Sequence, residues 1–404
     1  MLFVDADHLL DRDALAVEDA RRYSRTRLLF KTLLHTPGRP FVALVGPRGT
    51  GKTVMLRQLR ARTNDALYVS ADTMDRGDRL VDMVRLFLDR YRVRAFFIDE
   101  IHYLRDYAAD LKEIYDFLPA RIWFTSSVAV SLYGSAADLS RRVRTVELQP
   151  FAFREFLEFT GGETLAPLPL ASALGSEIPT AHLRTSFRFT EYLTGGLYPF
   201  MLEAGSGLDL FGNIAEKVIR SDLPAHDPDL TGADLANIEQ LLKFVGRSPI
   251  DGINYTSLAR NLAITKYKAA QYVGALERAF LLRQAFPAGA NVLREPKVFM
   301  EPPFRLLYRS YDDCIGALRE DFFALAMAQH GMPFRYAKST RGAKTPDFLV
   351  ALDGRDHVIE VGGRGKGRSQ FKGMTYDRKV VLFHGDDQTH TPGHRVPLHC
   401  IGFA

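Results

Sequence analysis

The sequence has few of the features that mark secreted, membrane or disordered proteins. It contains two cysteines, Cys314 and Cys400, in 404 residues, which are too few for a disulfide framework and wrongly placed for a zinc site. No apolar run approaches the roughly 18 residues that a membrane span needs. The N-terminal MLFVDADHLL has no basic segment, and Asp5 and Asp7 interrupt its apolar residues, so it does not resemble a signal peptide. We therefore expect a cytoplasmic protein with no membrane partner.

The composition predicts a globular protein of about two to three domains. Hydrophobic residues make up 46% of the chain and charged residues 25%, so sizeable cores can form and extended disorder is excluded. The net charge of +5 permits nucleic acid as a partner without requiring it.

One stretch, FVALVGPRGTGKTVM at residues 41–55, has the features of a phosphate-binding loop. Residues 41–45 are a continuous apolar run, which is typical of a buried strand in a parallel sheet. The glycines that follow let backbone N–H groups close around phosphate oxygens, and the next residues open a helix whose N-terminal end favours an anion. The pattern G-x-x-x-x-G-K-[ST] is complete. The predicted nucleotide-binding residues are Gly46, Pro47, Arg48, Gly49, Thr50, Gly51, Lys52, Thr53 and Val54.

Four residues have predicted roles in binding and hydrolysing Mg-ATP. In the loop, Lys52 is expected to reach the β- and γ-phosphates, and the Thr53 hydroxyl is expected to ligate Mg²⁺. Residues 67–69 predict a second strand, and the third predicted strand, residues 95–98, ends in Asp99 and Glu100. Such a pair is what a nucleotide hydrolase needs beside its phosphate loop, because Asp99 can hold Mg²⁺ through water while Glu100 polarises the attacking water.

Polar residues near these strands are further candidates. Residues 121–125 predict a strand that leads into Ser126 and Ser127. A serine here would contact both the γ-phosphate and the attacking water, although helix capping is the alternative role. His102 is predicted either to support the two acids or to be a structural histidine.

Arg141 and Arg142 precede a predicted fifth strand at residues 145–148. An arginine in this place can lie at a subunit edge and reach the γ-phosphate of a neighbouring subunit, where it stabilises the charge of the transition state. The alternative is a basic pair that is merely solvated.

These motifs together resemble the AAA+ superfamily, through the runs GPRGTGKT, FFIDEIHYL, IWFTSS, LSRR and LQPFAFREFLEF. More narrowly, the chain is similar to a group of prokaryotic predicted AAA+ ATPases that carry a small helical lid, a winged helix and a C-terminal domain related to restriction endonucleases. The run YLTGGLYP at residues 192–199 is similar to that group's GG-x-P element, which implies that Gly196 and Pro199 border the nucleotide. The resemblance also implies a homo-oligomeric ring, a hexamer or similar.

Three further segments have predicted structures. A helix is expected over residues 13–34, and the glycine- and proline-rich residues 161–185 predict an irregular insertion. From residue 235 to residue 300 the order helix, tight turn, helix and hairpin predicts a winged helix-turn-helix. Its second helix carries basic residues suited to phosphate contacts, although winged helices also serve to pack proteins together. These residues are Lys266, Lys268 and Arg278.

The C-terminal segment predicts a hairpin with paired carboxylates. Asp347 precedes a strand, residues 348–352, and Glu360 lies in the return strand. Alternating side chains bring Asp347 and Glu360 to one edge, where a divalent metal can bind. This resembles the PD-(D/E)-x-K nuclease core, and the resemblance places Glu320, Asp347 and Glu360 on the acidic positions of a possible second metal site.

The segment departs from the nuclease pattern at Gly362, which stands where the family has lysine. Water activation would then depend on Lys366 or Lys372 from the next segment. That segment is a glycine-rich basic stretch suited to a phosphate backbone, or simply a solvated basic turn. A degenerate domain that binds DNA or packs subunits is favoured over an active nuclease. The basic residues are Arg364, Lys366, Arg368, Lys372, Arg378 and Lys379.

The sequence therefore predicts an α/β protein with an AAA+ P-loop core, a parallel sheet and a helical lid, followed by a winged helix and a small α/β restriction-endonuclease-like domain. The expected divisions are 1–160, 161–233, 234–312 and 313–404. The predicted function is an ATPase that couples hydrolysis of Mg-ATP to movement of domains acting on nucleic acid. The alternatives are a nucleotide-gated assembly switch without DNA activity and a metal-dependent nuclease with a regulatory ATPase.

Overall fold

A computed structural model gives the fold. It describes residues 5–36, 39–74, 77–126, 139–175, 178–205, 207–248, 253–288, 295–337, 346–363, 378–384 and 394–404. The chain forms two compact units, Met1–Leu148 and Gln149–Ala404.

The first unit contains a parallel five-stranded sheet in the order β2-β3-β4-β1-β5. Its interior strands are almost fully buried, as their continuous apolar runs predict. This α/β arrangement fits an AAA+ P-loop core. The strands are β1 Phe41–Val45, β2 Ala66–Ser70, β3 Ala95–Asp99, β4 Arg121–Ser126 and β5 Val143–Glu147, and the helices are α1 Ala6–Ala20, α2 Leu29–Leu34, α3 Lys52–Ala61, α4 Leu80–Arg90 and α5 Tyr107–Phe117.

The single helix predicted over residues 13–34 is wrong, because the chain forms α1 and α2 with a non-helical segment between them. Polar groups of the phosphate-loop region bind that segment. The Gln58 side chain in α3 donates to the carbonyls of Tyr23 and Arg25, at 3.1 and 2.9 Å. These carbonyls are therefore held by a neighbouring helix instead of by the next turn of their own.

The second unit contains a mixed five-stranded sheet in the order β12-β11-β10-β9-β8 and a separate two-stranded hairpin, β6-β7. Its strands are β6 Leu282–Ala285, β7 Lys297–Met300, β8 Phe334–Tyr336, β9 Phe348–Leu352, β10 Arg355–Gly362, β11 Arg378–Phe383 and β12 Arg395–Pro397. Its longer helices are α6 Phe153–Gly161, α7 Leu208–Lys217, α8 Gly232–Arg247, α9 Tyr255–Leu262, α10 Lys266–Arg278 and α11 Tyr311–Gln329. No helix in the described part of the chain is long and apolar enough to cross a membrane.

One apolar core runs through the second unit, from Phe151 to Phe403. Rings from distant parts of the chain meet in it: Phe153 of α6 packs edge-on against Phe189 and Phe403 at 5.4 Å each. The structure therefore forms two compact units, whereas the sequence predicts four domains. The finer division of the second unit stays a prediction.

The insertion predicted over residues 161–185 is not wholly irregular. It contains two short helices, Leu170–Ala173 and Thr180–Leu183. Leu170 and Leu174 are buried in the core of the second unit, and this burial stabilises helical turns that the local sequence alone does not favour.

Candidate nucleotide-binding site

The phosphate loop lies between the end of β1 and the start of α3, and its shape requires glycine. Gly46 has a φ of 150°, and a Cβ there would lie 2.3 Å from the carbonyl oxygen of Leu148. Gly49 and Gly51 have φ values of 83° and 85°, in the left-handed region that side chains disfavour. The backbone conformation therefore requires glycine at three of the predicted loop positions.

Lys52 is buried at the start of α3, and its ammonium group caps the loop. The Nζ atom donates to the carbonyl oxygens of Gly46 and Pro47, at 2.9 Å each. The Thr50 hydroxyl donates to the same Pro47 oxygen at 2.9 Å. These contacts hold the cation inside the turn that a triphosphate would enter.

A residue from the break between α1 and α2 also supports the loop. Arg27 is buried, and its Nη1 donates to the Thr50 carbonyl oxygen at 2.9 Å. The remaining predicted loop residues, Arg48, Thr53 and Val54, are partly exposed, and Thr53 and Val54 lie in the first turn of α3, where backbone N–H groups are directed at the loop.

Asp99 ends β3 and is 3% exposed. Two hydroxyl groups donate to its carboxylate: Tyr68 OH to Oδ2 at 2.9 Å, and Thr125 Oγ1 to Oδ1. Burial, and after it the charge of Asp99, raises the pKa of Tyr68, so this hydroxyl keeps its proton and remains a donor. The carboxylate is therefore fixed at the carboxyl end of the sheet, where a magnesium ion beside the loop would need it.

Glu100 follows with a left-handed backbone, φ 51° and ψ 48°. Its N–H donates to Thr125 Oγ1 at 2.8 Å, so the Thr125 hydroxyl contacts both acidic residues. The Glu100 carboxylate lies near two basic side chains: Oε1 is 4.0 Å from Arg48 Nη1, and Oε2 is 3.3 Å from His102 Nδ1.

Ser126 is fully buried at the end of β4. Its strand lies between β1 and β3, and Ser126 pairs with Val45, the residue before the loop. The structure thus brings Ser126 close to the loop, between the two motifs, and its contact with the γ-phosphate stays a prediction. The other predicted serine, Ser127, lies outside the described residues.

Arg141 and Arg142 lie at the opposite end of the strands. Arg142 precedes β5, whose first residue pairs with Phe41 at the start of β1, and the Arg142 carbonyl accepts from Phe41 N at 2.8 Å. About 13 Å of strand then separates this pair from the loop of the same chain. Arg142 binds Asp116 at 2.8 Å, which lowers the pKa of that carboxyl group, whereas Arg141 is exposed.

Gly196 and Pro199 belong to the second unit. Gly196 lies at the end of a π-helical turn, Tyr192–Gly196, and a Cβ there would lie 2.5 Å from the Phe156 ring. Close packing therefore requires glycine at this position, whatever its role toward nucleotide. Pro199 is partly exposed in the turn that follows.

The C-terminal carboxylates do not form a ready metal site. Continuing the register of β9 and β10 places Asp347 opposite Glu360, as predicted, and Asp347 Oδ2 accepts from Val361 N at 2.8 Å. Glu320, however, pairs with Lys297 Nζ at 2.6 Å. Within the described residues, no three His, Cys, Asp or Glu side chains lie close enough together to hold a metal ion.

The basic residues assigned to nucleic acid have mixed surroundings. Lys266 pairs with Glu295, and Lys268 pairs with Asp234 at 2.9 Å, so two of the three on α10 already have acidic partners. Arg278 is exposed. Of the C-terminal basic residues, Arg378 is exposed and Lys379 is partly buried, while Arg364, Lys366, Arg368 and Lys372 lie outside the described residues.

Sequence reasoning missed three side chains of this site: Thr125, Tyr68 and Arg27. Thr125 and Tyr68 lie within apolar strand runs, where alternation and burial give no sign of an acidic neighbour. The strand register places Thr125 beside Asp99, and this pairing is not encoded in either segment alone.

The loop-bearing part of the chain is similar to a known domain family. Residues 38–157 match the family model described as AAA domain (AAA_14), and residues 186–301 match a domain of unknown function, DUF8612. No curated protein matches the sequence. The AAA domain match contains both the phosphate loop and the pair Asp99 and Glu100, and neither family match reaches half of the chain.

Solved structures show only distant likeness. The Aeropyrum pernix ORC1 protein in complex with DNA shares 15% identity at a TM-score of 0.27, covering 80% of this chain and 94% of the other. AMPPCP-bound DnaA from Aquifex aeolicus shares 14% identity at 0.25, covering 69% and 89%. The S. cerevisiae Hsp104-ADP complex shares 19% identity at 0.31, covering 65% and 41%. At such TM-scores these structures carry no argument about function.

Proposed function

We propose that this protein is an AAA+ ATPase that binds and hydrolyses ATP with Mg²⁺ in its first unit. The observation that carries the proposal is that two motifs lie together at the carboxyl ends of the parallel strands. The loop that follows β1 and the acids that follow β3 flank the end of β4, where Ser126 lies. The match of residues 38–157 to the AAA domain supports the same assignment.

The residues present fit a magnesium-bound triphosphate. The glycine turn leaves no room for a Cβ at Gly46, and Lys52 already binds the loop carbonyls, so a phosphate group would find backbone N–H groups and a cation in place. Thr53 and Asp99 would hold Mg²⁺, which supplies positive charge that offsets charge building up on the phosphates.

Hydrolysis requires a water molecule aimed at the last phosphorus. In this proposal Glu100 accepts a hydrogen bond from that water and increases its nucleophilicity. Lys52 neutralises the β- and γ-phosphate oxygens, and Ser126 contacts the γ-phosphate from the neighbouring strand. Asp99 is held by its two hydroxyl donors, so its oxygens need no reorganisation when the metal arrives.

Two substitutions test the ATPase. Lys52→Ala is expected to weaken binding of a fluorescent ATP analogue by about 100-fold or more. Glu100→Gln is expected to retain binding and to lower kcat by about 100- to 10,000-fold. Lys31→Ala and Glu147→Gln are matched controls, because both side chains are exposed in the same unit. Tight ATP binding by Lys52→Ala, or normal turnover by Glu100→Gln, would contradict the assignment.

The proposal extends to a homo-oligomeric ring in which Arg141 or Arg142 completes the site of a neighbouring subunit. The support is their position: the two arginines lie just before β5, at the opposite end of the strands from the phosphate loop of their own chain. Mixing Arg141→Ala or Arg142→Ala subunits with Lys52→Ala subunits is expected to restore ATPase activity that neither parent has. Arg144→Ala, also exposed, is the control. A mixture no more active than its components would exclude the shared site.

Nucleic acid is the proposed substrate of the second unit. The order α8, α9, α10 and hairpin β6-β7 is that of a winged helix, and this order supports the proposal. ATPase rate and duplex binding measured from 50 to 200 mM salt test it. Salt-sensitive binding with faster turnover is expected for a motor, whereas a nucleotide-gated switch would show neither effect.

A nuclease activity receives less support. Gly362 replaces the family lysine, and Glu320 is engaged with Lys297. We therefore propose that the β8-β12 sheet belongs to a degenerate domain that binds DNA or packs subunits. Plasmid and branched DNA with Mg²⁺ or Mn²⁺ should remain uncut, and cutting that is lost in Glu360→Ala would reverse this assignment.

A further inference from the structure

Glu100 has a restrained backbone but a long side chain. Its left-handed conformation is uncommon for a residue with a Cβ, and the bond from its N–H to Thr125 Oγ1 fixes the start of the turn. These contacts do not determine where the carboxylate oxygens lie, because three side-chain torsions separate them from the backbone. A base that must face one water molecule needs a second anchor.

His102 is placed to be that anchor. It lies in the 3₁₀ turn Ile101–Tyr103, whose first side chain is fully buried and fixes the turn. The His102 side chain is 5% exposed, and its Nδ1 atom lies 3.3 Å from Glu100 Oε2. Its ring also contacts the Tyr103 ring, with centroids 4.7 Å apart. The imidazole therefore has a packed position and a defined edge toward the carboxylate.

The two oxygens of Glu100 have different neighbours. Oε2 faces the buried His102 edge, whereas Oε1 lies 4.0 Å from Arg48 Nη1, a side chain of the phosphate loop. Holding Oε2 from one side leaves Oε1 turned toward the loop, where the last phosphate of a nucleotide would lie. The two oxygens thus differ in surroundings: Oε2 lies 3.3 Å from the imidazole, without hydrogen-bond alignment in this structure, and Oε1 lies beside the loop.

We propose that His102 is a positioning residue for Glu100, and that its Nδ1–H donates to Oε2 so that Oε1 can accept from the attacking water. The inference rests on the proposed ATPase function. Catalytic hydrogen bonds are often long or poorly aligned before substrate binds and tighten in the substrate complex, and the proposal requires this of the 3.3 Å contact between His102 and Glu100. The alternative is that the imidazole only fills space beside Tyr103.

Paired amide substitutions distinguish the two roles. The Asn amide nitrogen lies near the place of His Nδ1, whereas the Gln amide nitrogen lies near that of Nε2. His102→Ala is expected to lower kcat by about 10- to 100-fold while the KM for ATP changes less than about threefold. His102→Asn should recover most of the lost kcat, and His102→Gln should not. In a Glu100→Gln background, His102→Ala should add no further loss.

Steady-state ATPase assays of the full chain, with melting curves for each variant, give the result. His35→Asn, an exposed histidine in the same unit, is the matched control. Near-normal kcat in His102→Ala, or equal rescue by Asn and Gln, overturns the positioning role. If His102→Ala does not fold, the Asn and Gln variants alone decide, through the difference in their kcat. A wild type without ATPase activity, or with activity unaffected by Lys52→Ala, would refute the ATPase itself.

Discussion

Two buried histidines are expected to make the second unit sensitive to mild acid. Burial, together with the nearby Arg319 in the case of His384, lowers the pKa of His384 and of His399 from 6.5 to about 4. Both rings lie beside Phe189, at 5.0 and 6.0 Å, and both line a cavity of about 50 Å³. Their neutral forms are therefore part of the folded state.

The sign of the effect follows from which state binds the proton first. Below pH 6.5 the unfolded chain protonates these histidines while the folded unit does not, so stability falls as pH drops from 6.5 to 4 and then levels off. At pH 5 each histidine lowers the free energy of unfolding by about 2 kcal/mol relative to pH 7, and the two together by about 4 kcal/mol.

Urea unfolding at pH 7 and pH 5 measures this loss, and two optical probes separate the units. The single tryptophan, Trp123, lies in β4 of the first unit, so its fluorescence reports that unit, whereas far-ultraviolet circular dichroism reports both. The acid shift should appear in the dichroism transition and should shrink in the double variant His384→Gln/His399→Gln. An equal shift in wild type and double variant would refute the reasoning, with the exposed His35→Gln as control.

Three further substitutions have outcomes that follow from the contacts. Gly46→Ala should abolish ATP-analogue binding and lower the free energy of unfolding by about 1–3 kcal/mol, measured by urea denaturation, since its Cβ has no room; wild-type binding would contradict this. Thr125→Val should lower kcat by about 10- to 100-fold and the free energy of unfolding by about 1–3 kcal/mol, because it removes the hydroxyl that donates to buried Asp99 and accepts from Glu100 N–H; unchanged turnover would count against it. Arg305→Met should lower the free energy of unfolding by about 3–5 kcal/mol, because it leaves the buried Asp321 carboxylate without its ion-pair partner. Adding Asp321→Leu should recover most of this stability, and a double variant as unstable as Arg305→Met would show that the ion pair is not the cause.

The first unit could be predicted closely because its elements are short and strongly patterned. The strand predicted at residues 41–45 is β1 itself, and the strands predicted at 95–98 and 121–125 each extend by one residue. The motifs lie at the carboxyl ends of these strands, and in a parallel sheet all the carboxyl ends lie on the same side. Local pattern and candidate site therefore coincide there, so spacing alone predicts roles for Lys52 and Asp99, and these roles stay predictions.

The predicted helix over residues 13–34 failed for a reason that no local pattern contains. Its middle is held by Gln58 and contributes Arg27 to the loop, and these partners lie more than 20 residues away along the chain. Thr125 and Tyr68 were not predicted for the same reason. Each lies in an apolar strand, and its hydroxyl group binds Asp99, which lies on another strand. In each of these cases, a partner that is distant in the sequence determines the local structure or the contact.

The C-terminal carboxylates show where one long-range element changes a local prediction. Hairpin alternation predicts Asp347 and Glu360 at one edge, and continuing the register of β9 and β10 beyond Phe348 and Ile359 places the two residues opposite each other. The third acid, Glu320, depends on α11 and on what packs against it. Lys297 comes from the separate hairpin β6-β7, and its ammonium group lies 2.6 Å from Glu320 and 5.5 Å from the Phe348 ring centre. That lysine neutralises the Glu320 carboxylate, so the third acid of the predicted metal site is used in an internal ion pair, and the metal site itself stays a prediction.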